Sequence, residues 1–166
     1  MILICRGSAP VPTPSAFGVT TGGLLLRSMK VFVYGTLKPG EINYLAYCGD
    51  RVTAAVEAYT WGQLYHLNRR GYPAMTFGTN KVRGFLLTFA DVSALNFLDQ
   101  LEDFQPQRLP VANEYQRQKI PVFDLEDRWL GEAWGYLMRL QRLQELGGVL
   151  IPSGCWTQTK SVNSEK

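Results

Sequence analysis

The chain has 166 residues, is 46% apolar, and carries 17 Lys or Arg against 14 Asp or Glu for a formal charge of +3. That length supports one hydrophobic core but not two ordinary domains, and the basic residues are dispersed rather than gathered into a stripe, which argues against a nucleic-acid partner. No run approaches the roughly 20 continuous apolar residues of a membrane-spanning helix, so no membrane partner is expected either.

Residues 1–28 contain no acidic residue, and Pro10, Pro12 and Pro14 interrupt any helix there. The segment reads as a flexible extension without the continuous apolar run of a signal peptide. Two origins stay open: a transit peptide, or an upstream extension ahead of a natural start at Met29. The domain is expected over 29–150, followed by a polar tail over 151–166. Cys5, Cys48 and Cys155 form no CxxC pair, and His66 is the sole histidine, so neither a disulfide framework nor a zinc site is indicated. Three scattered thiols fit a reducing compartment, and a cytoplasmic location is the expectation. The oligomeric state is left open.

From Lys30 the pattern is mostly β. Val31-Phe32-Val33-Tyr34 is a short β-branched and aromatic run stopped by Gly35. Gly35, Pro39 and Gly40 make a loop, and Asn43 is placed to cap a brief helix through Tyr47. A strand region spans 52–67 with a break near Thr60 to Gly62, and another spans 82–89. Such long mixed runs are typical of strands covered on both faces or closed into a barrel. One clear helix follows, with Asp91 as N-cap candidate and Val92, Leu95, Leu98 and Leu101 on one side. Residues 114–123 and 132–140 read as strands of a hairpin turning at 124–131, and a helical turn ends at Gly147-Gly148.

Two segments carry candidate chemistry. The loop Tyr34-Gly35-Thr36-Leu37-Lys38-Pro39-Gly40 follows a buried strand, and such loops can turn consecutive N–H groups toward a carboxylate or oxyanion. Taken alone, it reads first as an ordinary strand-ending turn. The helix end Leu98-Asp99-Gln100-Leu101-Glu102-Asp103-Phe104 clusters acids where the helix dipole favours cations, and Glu102 sits at the edge of the apolar stripe. Alone, it reads first as a solvated acidic terminus. A nucleophile paired with histidine would have to use His66, which reads as a half-buried sheet residue, and no Gly-x-Ser-x-Gly elbow is present. Catalysis is therefore expected to rest on a carboxylate.

These pieces occur in one order: Val33 to Gly40 with Asn43; Gly62-Gln63-Leu64-Tyr65; Tyr72-Pro73-Ala74; Val82-Arg83-Gly84; Leu98 to Glu102; Tyr115-Gln116-Arg117; Ala133-Trp134-Gly135-Tyr136. In that order they resemble the γ-glutamyl cyclotransferase-like family, in its γ-glutamylamine cyclotransferase or AIG2-like branch. The resemblance implies an α+β fold, a small mixed β-barrel with short peripheral helices, and a cavity near residues 34–37. It implies cyclisation of a γ-glutamyl amine or peptide to 5-oxoproline with release of the amine. Glu102 would be the general acid/base, Tyr34, Gly35, Thr36 and Leu37 would hold the glutamyl group, and Tyr115 would stand near the cavity. No cofactor and no metal are called for, and the partner is a small γ-glutamyl substrate. The alternative is a non-catalytic small-molecule-binding or regulatory module on the same fold. The family often has glycine and then tyrosine after the catalytic glutamate, where this chain has Asp103 and Phe104. The expectation is that Asp103 perturbs Glu102 as a like charge, with Leu101 and Phe104 desolvating it.

Overall fold

The computed structural model describes residues 28–158. Residues 1–27 of the extension expected over 1–28, and residues 159–166 of the tail expected over 151–166, lie outside the described residues.

The first strand, β1 (Met29–Val33), is buried on both faces from Val31 onward. Met29, Val31 and Val33 enter one apolar cluster, while Phe32 and the following Tyr34 enter another. Successive side chains point to opposite faces of a strand, so an uninterrupted apolar run marks a strand with no solvent side.

A long antiparallel hairpin follows. Its arms, β2 (Val52–Leu67) and β3 (Tyr72–Phe89), pair from Val52↔Phe89 to Leu67↔Tyr72 with an irregularity between Gly62 and Gln63. The expected break near Thr60 to Gly62 is this bulge, which bends the strand without ending it. The strand expected only over 82–89 begins at Tyr72. Pro73 and Gly78 depress its local β signal, and pairing with β2 overrides them. A second hairpin joins β4 (Gln116–Phe123) to β5 (Trp129–Leu137).

β1 joins the two hairpins. It runs antiparallel to β3 through Val31↔Leu87 and parallel to β5 through Val31↔Trp134. Because β4 meets β2 at Tyr59↔Phe123 and β2 pairs β3, five strands close into a ring in the order β3-β1-β5-β4-β2. A short strand, β6 (Val149–Leu150), adds to β2 at Tyr65 and His66. This mixed sheet with few short helices is the α+β architecture expected.

Phe32, Leu64, Met75, Val82, Ile120 and Val122, drawn from four strands of the ring, belong to its inner cluster. The second cluster takes in Leu98 and Leu143 from the helices α2 (Ala94–Leu101) and α3 (Leu140–Glu145), with Tyr44 and Tyr47 of α1 (Tyr44–Tyr47) packed against it. α2 starts after Ser93, later than expected. Asp91 instead accepts hydrogen bonds from the Ser93 N–H and hydroxyl, each at 2.9 Å, and Val92 is left exposed.

Residues 151–158, expected to open a polar tail, pack against the sheet. The Ile151 N–H donates to the Leu64 carbonyl at 2.8 Å, the Arg83 N–H donates to the Gly154 carbonyl at 2.7 Å, and Trp156 is buried. Cys48 is a buried free thiol, whereas Cys155 is disulfide-bonded, so the expectation of unpaired cysteines fails for Cys155. Among the described residues no helix is long and apolar enough to cross a membrane.

Gly84 shows how closely β3 approaches β1: a Cβ there would stand 2.1 Å from the Val33 carbonyl oxygen. Gly84→Ala forces the strands apart next to the site loop and is expected to destabilise the fold by about 1–3 kcal/mol. A lowered urea midpoint with unchanged slope is the expected readout.

Candidate active site

The C-terminal end of β5 lies beside the beginning of β4, while β1 ends beside Phe85 in the second half of β3 and the hydroxyl of the next residue, Tyr34, reaches Met75 near the start of that strand. At that end of the ring is a cavity of about 210 Å³. Its wall contains Tyr34, Gly35, Thr36, Leu37, Glu102 and Tyr115, so the structure brings together all the site residues singled out from sequence.

The loop after β1 is held by its own hydrogen bonds. The Lys38 N–H donates to the Gly35 carbonyl at 3.1 Å, and the Asn43 N–H donates to the Thr36 carbonyl at 3.0 Å. Asn43 stands at the N-cap of α1 as expected, but its side chain makes no cap; its amide donates to the Thr36 hydroxyl oxygen at 3.1 Å. Among the described residues the N–H groups of Gly35, Thr36 and Leu37 donate to no protein acceptor. Gly35 is needed for proximity rather than for unusual dihedrals, since a Cβ there would come within 2.7 Å of the Pro73 ring. Lys38 is buried, and its ammonium donates to the carbonyl of Trp156, fastening the loop to residues 151–158.

Two phenols shape the cavity floor. The Tyr34 hydroxyl donates to the Tyr136 carbonyl at 2.7 Å and accepts from the Met75 N–H at 3.2 Å. Tyr115 donates to the Pro73 carbonyl at 3.0 Å. Burial pushes both phenols well above their ordinary value, and the nearby Glu102 charge adds to it. They are fixed neutral donors, unsuited to act as bases.

Glu102 is the C-cap of α2. The helix ends in a Schellman turn: the Asp103 N–H donates to the Gln100 carbonyl at 3.3 Å and the Phe104 N–H to the Asp99 carbonyl at 2.8 Å. Asp103 takes the left-handed conformation this requires, with φ of 46°. The three acids that seemed to oppose the helix dipole have separate fates. Asp99 accepts from Arg117 at 2.6 Å and from the Tyr136 hydroxyl at 2.7 Å. Exposed Asp103 pairs with Arg108 at 3.0 Å. The Glu102 carboxyl has no hydrogen-bond or ion-pair partner among the described residues, and since no fully buried side-chain polar atom lacks a partner, it is reachable through the cavity.

Burial, then the charge of Glu114, raises the Glu102 carboxyl to about 7. The expected like charge therefore comes from Glu114, not Asp103. Leu101 lines the cavity as expected, but Phe104 faces Arg117, whose guanidinium lies 5.3 Å from the Phe104 ring and 4.9 Å from that of Trp134.

Glu114 and Tyr72 were not legible as site residues. The Tyr72 hydroxyl donates to Glu114 Oε1 at 3.0 Å, and both line the cavity. Asn113 positions Glu114 by a reciprocal pair with the Gln105 backbone, at 3.0 and 3.1 Å. Among the described residues no cluster of His, Cys, Asp and Glu is arranged to hold a metal.

The family described as "Gamma-glutamyl cyclotransferase, AIG2-like" matches residues 31–158. The chain belongs to this family. A Vibrio cholerae protein named "Putative gamma-glutamylcyclotransferase" is 34% identical over 129 residues, spanning 77% of this chain and 95% of that protein. A mouse AIG2-like protein shares the fold with a TM-score of 0.58 at 21% identity, over 81% of this chain and 91% of its own. YkqA from Bacillus subtilis shares it at a TM-score of 0.55 and 23% identity; the match covers 78% of this chain but only 40% of YkqA.

Position 103 is left-handed, a conformation that glycine adopts without steric cost. Asp103→Gly is expected to be neutral or mildly stabilising. Asp103→Val, β-branched at positive φ, is expected to lose about 1–2 kcal/mol. Thermal unfolding of the two variants checks both.

Proposed function

We propose that this family member cyclises a γ-glutamyl amine or γ-glutamyl peptide to 5-oxoproline and free amine, with Glu102 shuttling the proton. The observation carrying this reading is an unpaired carboxyl, raised to about 7, in a cavity shared with a loop of uncommitted N–H donors.

The substrate supplies its own nucleophile, so the protein needs no covalent intermediate. Its α-ammonium gives a proton to the Glu102 carboxylate, and the freed amine attacks the γ-carbonyl carbon from about 3–3.5 Å. The new C–N bond closes a five-membered lactam. The carbonyl electron pair moves to oxygen, then returns as the amide C–N bond breaks. Glu102 gives its proton to the departing nitrogen, and the second proton shed by the ring nitrogen balances protonation of the released amine. The N–H groups of residues 35–37 are the available donors for the α-carboxylate or the oxyanion. Tyr34 and Tyr115 hold the wall around the reacting atoms.

A carboxyl near 7 is matched to this task, since it is ionised often enough to accept and acidic enough to return the proton. Because its native value exceeds the unfolded value near ~4.3, the stability it contributes is complete below that value and is lost as pH rises to about 7.

The test is 5-oxoproline release from a panel of γ-glutamyl amines and dipeptides. Glu102→Gln is expected to lower kcat by roughly 10²–10⁴ in a folded protein whose thermal stability gains most at alkaline pH. Near-normal turnover in the folded variant would overturn the assignment. Binding of the panel without 5-oxoproline release would favour a binding module on this fold.

The pH profile is a separate test. The acid limb of wild-type kcat/KM is expected close to pH 7, where Glu102 ionises. A limb near ~4.3, the ordinary glutamate value, would exclude Glu102 as the titrating base.

A further inference from the structure

Trp156 is gripped twice, its side chain by the sheet and its main chain by the site loop. The indole Nε1–H donates to His66 Nδ1 on β2 at 3.0 Å, and the two rings stack with centroids 6.4 Å apart. The Trp156 carbonyl accepts from the buried ammonium of Lys38, in the loop that follows β1. An indole nitrogen only donates, so the contact requires a neutral His66 with its proton on Nε2; an imidazolium donates from both nitrogens and sets two N–H groups against each other. We propose that His66 is the catch of a proton-sensitive latch: neutral, it holds Trp156, which through Lys38 positions the loop of residues 35–37; protonated, it releases them. The inference rests on the cyclotransferase reading only for its effect on turnover.

The latch reaches the loop in short steps. The Lys38 N–H donates to the Gly35 carbonyl at 3.1 Å, so Lys38 closes the turn that carries the uncommitted N–H groups. Burial holds its ammonium below the ordinary lysine value, and a buried cation depends on its acceptors. Besides the Trp156 carbonyl, Lys38 has Glu41 at 3.9 Å as its partner among the described residues. Glu41 also accepts from the Gln158 N–H at 3.4 Å, a second tie between the chain end and the loop. Ile151 and Gly154 keep their own bonds to β2 and β3, so release at His66 concerns the end of this segment and not the whole of it.

His66 is partly exposed, which lets a solvent proton reach it. Opposite it stand Pro73 on β3 and Val149 on β6, with Met75 and Ile151 on the diagonals, and none of these titrates. On the adjacent turn Arg69 is exposed and Arg70 is directed to Tyr72 and Glu114. α3 packs with Leu67 on the other face of β2, its Arg142 and Glu145 paired with each other. The remaining charges of the cluster are Lys38 and Glu41, beyond the Trp156 backbone. Imidazole is the side chain whose ordinary titration falls between about pH 5 and 8. The latch is therefore closed on the alkaline side and opens as pH falls through the titration of His66.

The experiment follows two NMR probes in ¹⁵N-labelled protein across about pH 5 to 8: the Trp156 indole N–H, assigned by its loss in Trp156→Phe, and the backbone N–H groups of Thr36 and Leu37. The protein carries Glu102→Gln, which removes the acid expected to titrate beside the loop. Both probes are expected to shift with the single midpoint given by the His66 ring protons. His66→Asn sets an amide oxygen where Nδ1 stands and does not titrate, so both probes are expected to keep their closed positions throughout. With Lys38→Met the indole is expected to titrate and the loop signals to stop following it. An indole signal indifferent to His66 would overturn the proposal, as would loop signals that follow it equally with Lys38→Met. Turnover is read as the kcat/KM of wild type divided by that of His66→Asn, a ratio in which the Glu102 limb cancels. It is expected to fall roughly tenfold toward the acid end, the scale of one lost hydrogen bond; a flat ratio would overturn the coupling to the site. If no substrate yields 5-oxoproline, the cyclotransferase reading fails separately and the two NMR probes still decide the latch.

Discussion

The buried hydroxyl of Tyr34 is the contact on which the site depends. It satisfies the Tyr136 carbonyl on β5 and the Met75 N–H on β3 together, and so fixes the end of β1 between the two hairpins. An unsatisfied backbone group at that depth would lose about 1–3 kcal/mol, so the three strand ends are held in one arrangement. The loop of residues 35–37 starts directly from this clamp. Its reach toward Pro73, with no Cβ in the way, closes one wall of the cavity.

The opposite wall is organised by charge. Arg117 lies against two aromatic rings and pairs with Asp99, which also accepts from Tyr136, so the last turn of α2 is tied to β4 and β5. Glu102 stands immediately beyond this network and is excluded from it. Every neighbouring acid has found a cation or a donor, and Glu102, left unpaired among the described residues, opens onto the cavity. That contrast separates acids that hold the fold from the acid available for chemistry.

Much of this was legible locally. The run Val31 to Tyr34 announced a buried strand, the hairpin 116–137 carried its own turn, and Glu102 was visible as an acid at the edge of an apolar stripe. What escaped depended on partners distant in sequence. Glu114 becomes a site residue only because Tyr72, 42 residues away, meets it across the ring. The first half of β3 holds its shape by pairing with β2, against the local preferences of Pro73 and Gly78. Asp103 was read as an electrostatic neighbour because composition shows charge but not dihedral; its conformation makes it the hinge of a helix-ending turn. Residues 151–158 looked polar, yet Trp156 is buried and its carbonyl receives the Lys38 ammonium.

The ring also has a kinetic consequence. Its two hairpins are local in sequence, but β1 joins β5 through Val31 and Trp134, about a hundred residues apart. Contacts of such separation carry a large loop-closure entropy and are characteristic of slow steps in folding. The loop of residues 35–40 leaves from β1, and its fastening at Lys38 waits for Trp156 near the end of the described chain. Assembly of the cavity therefore follows closure of the ring. A chain still emerging from the ribosome has no partly formed cavity.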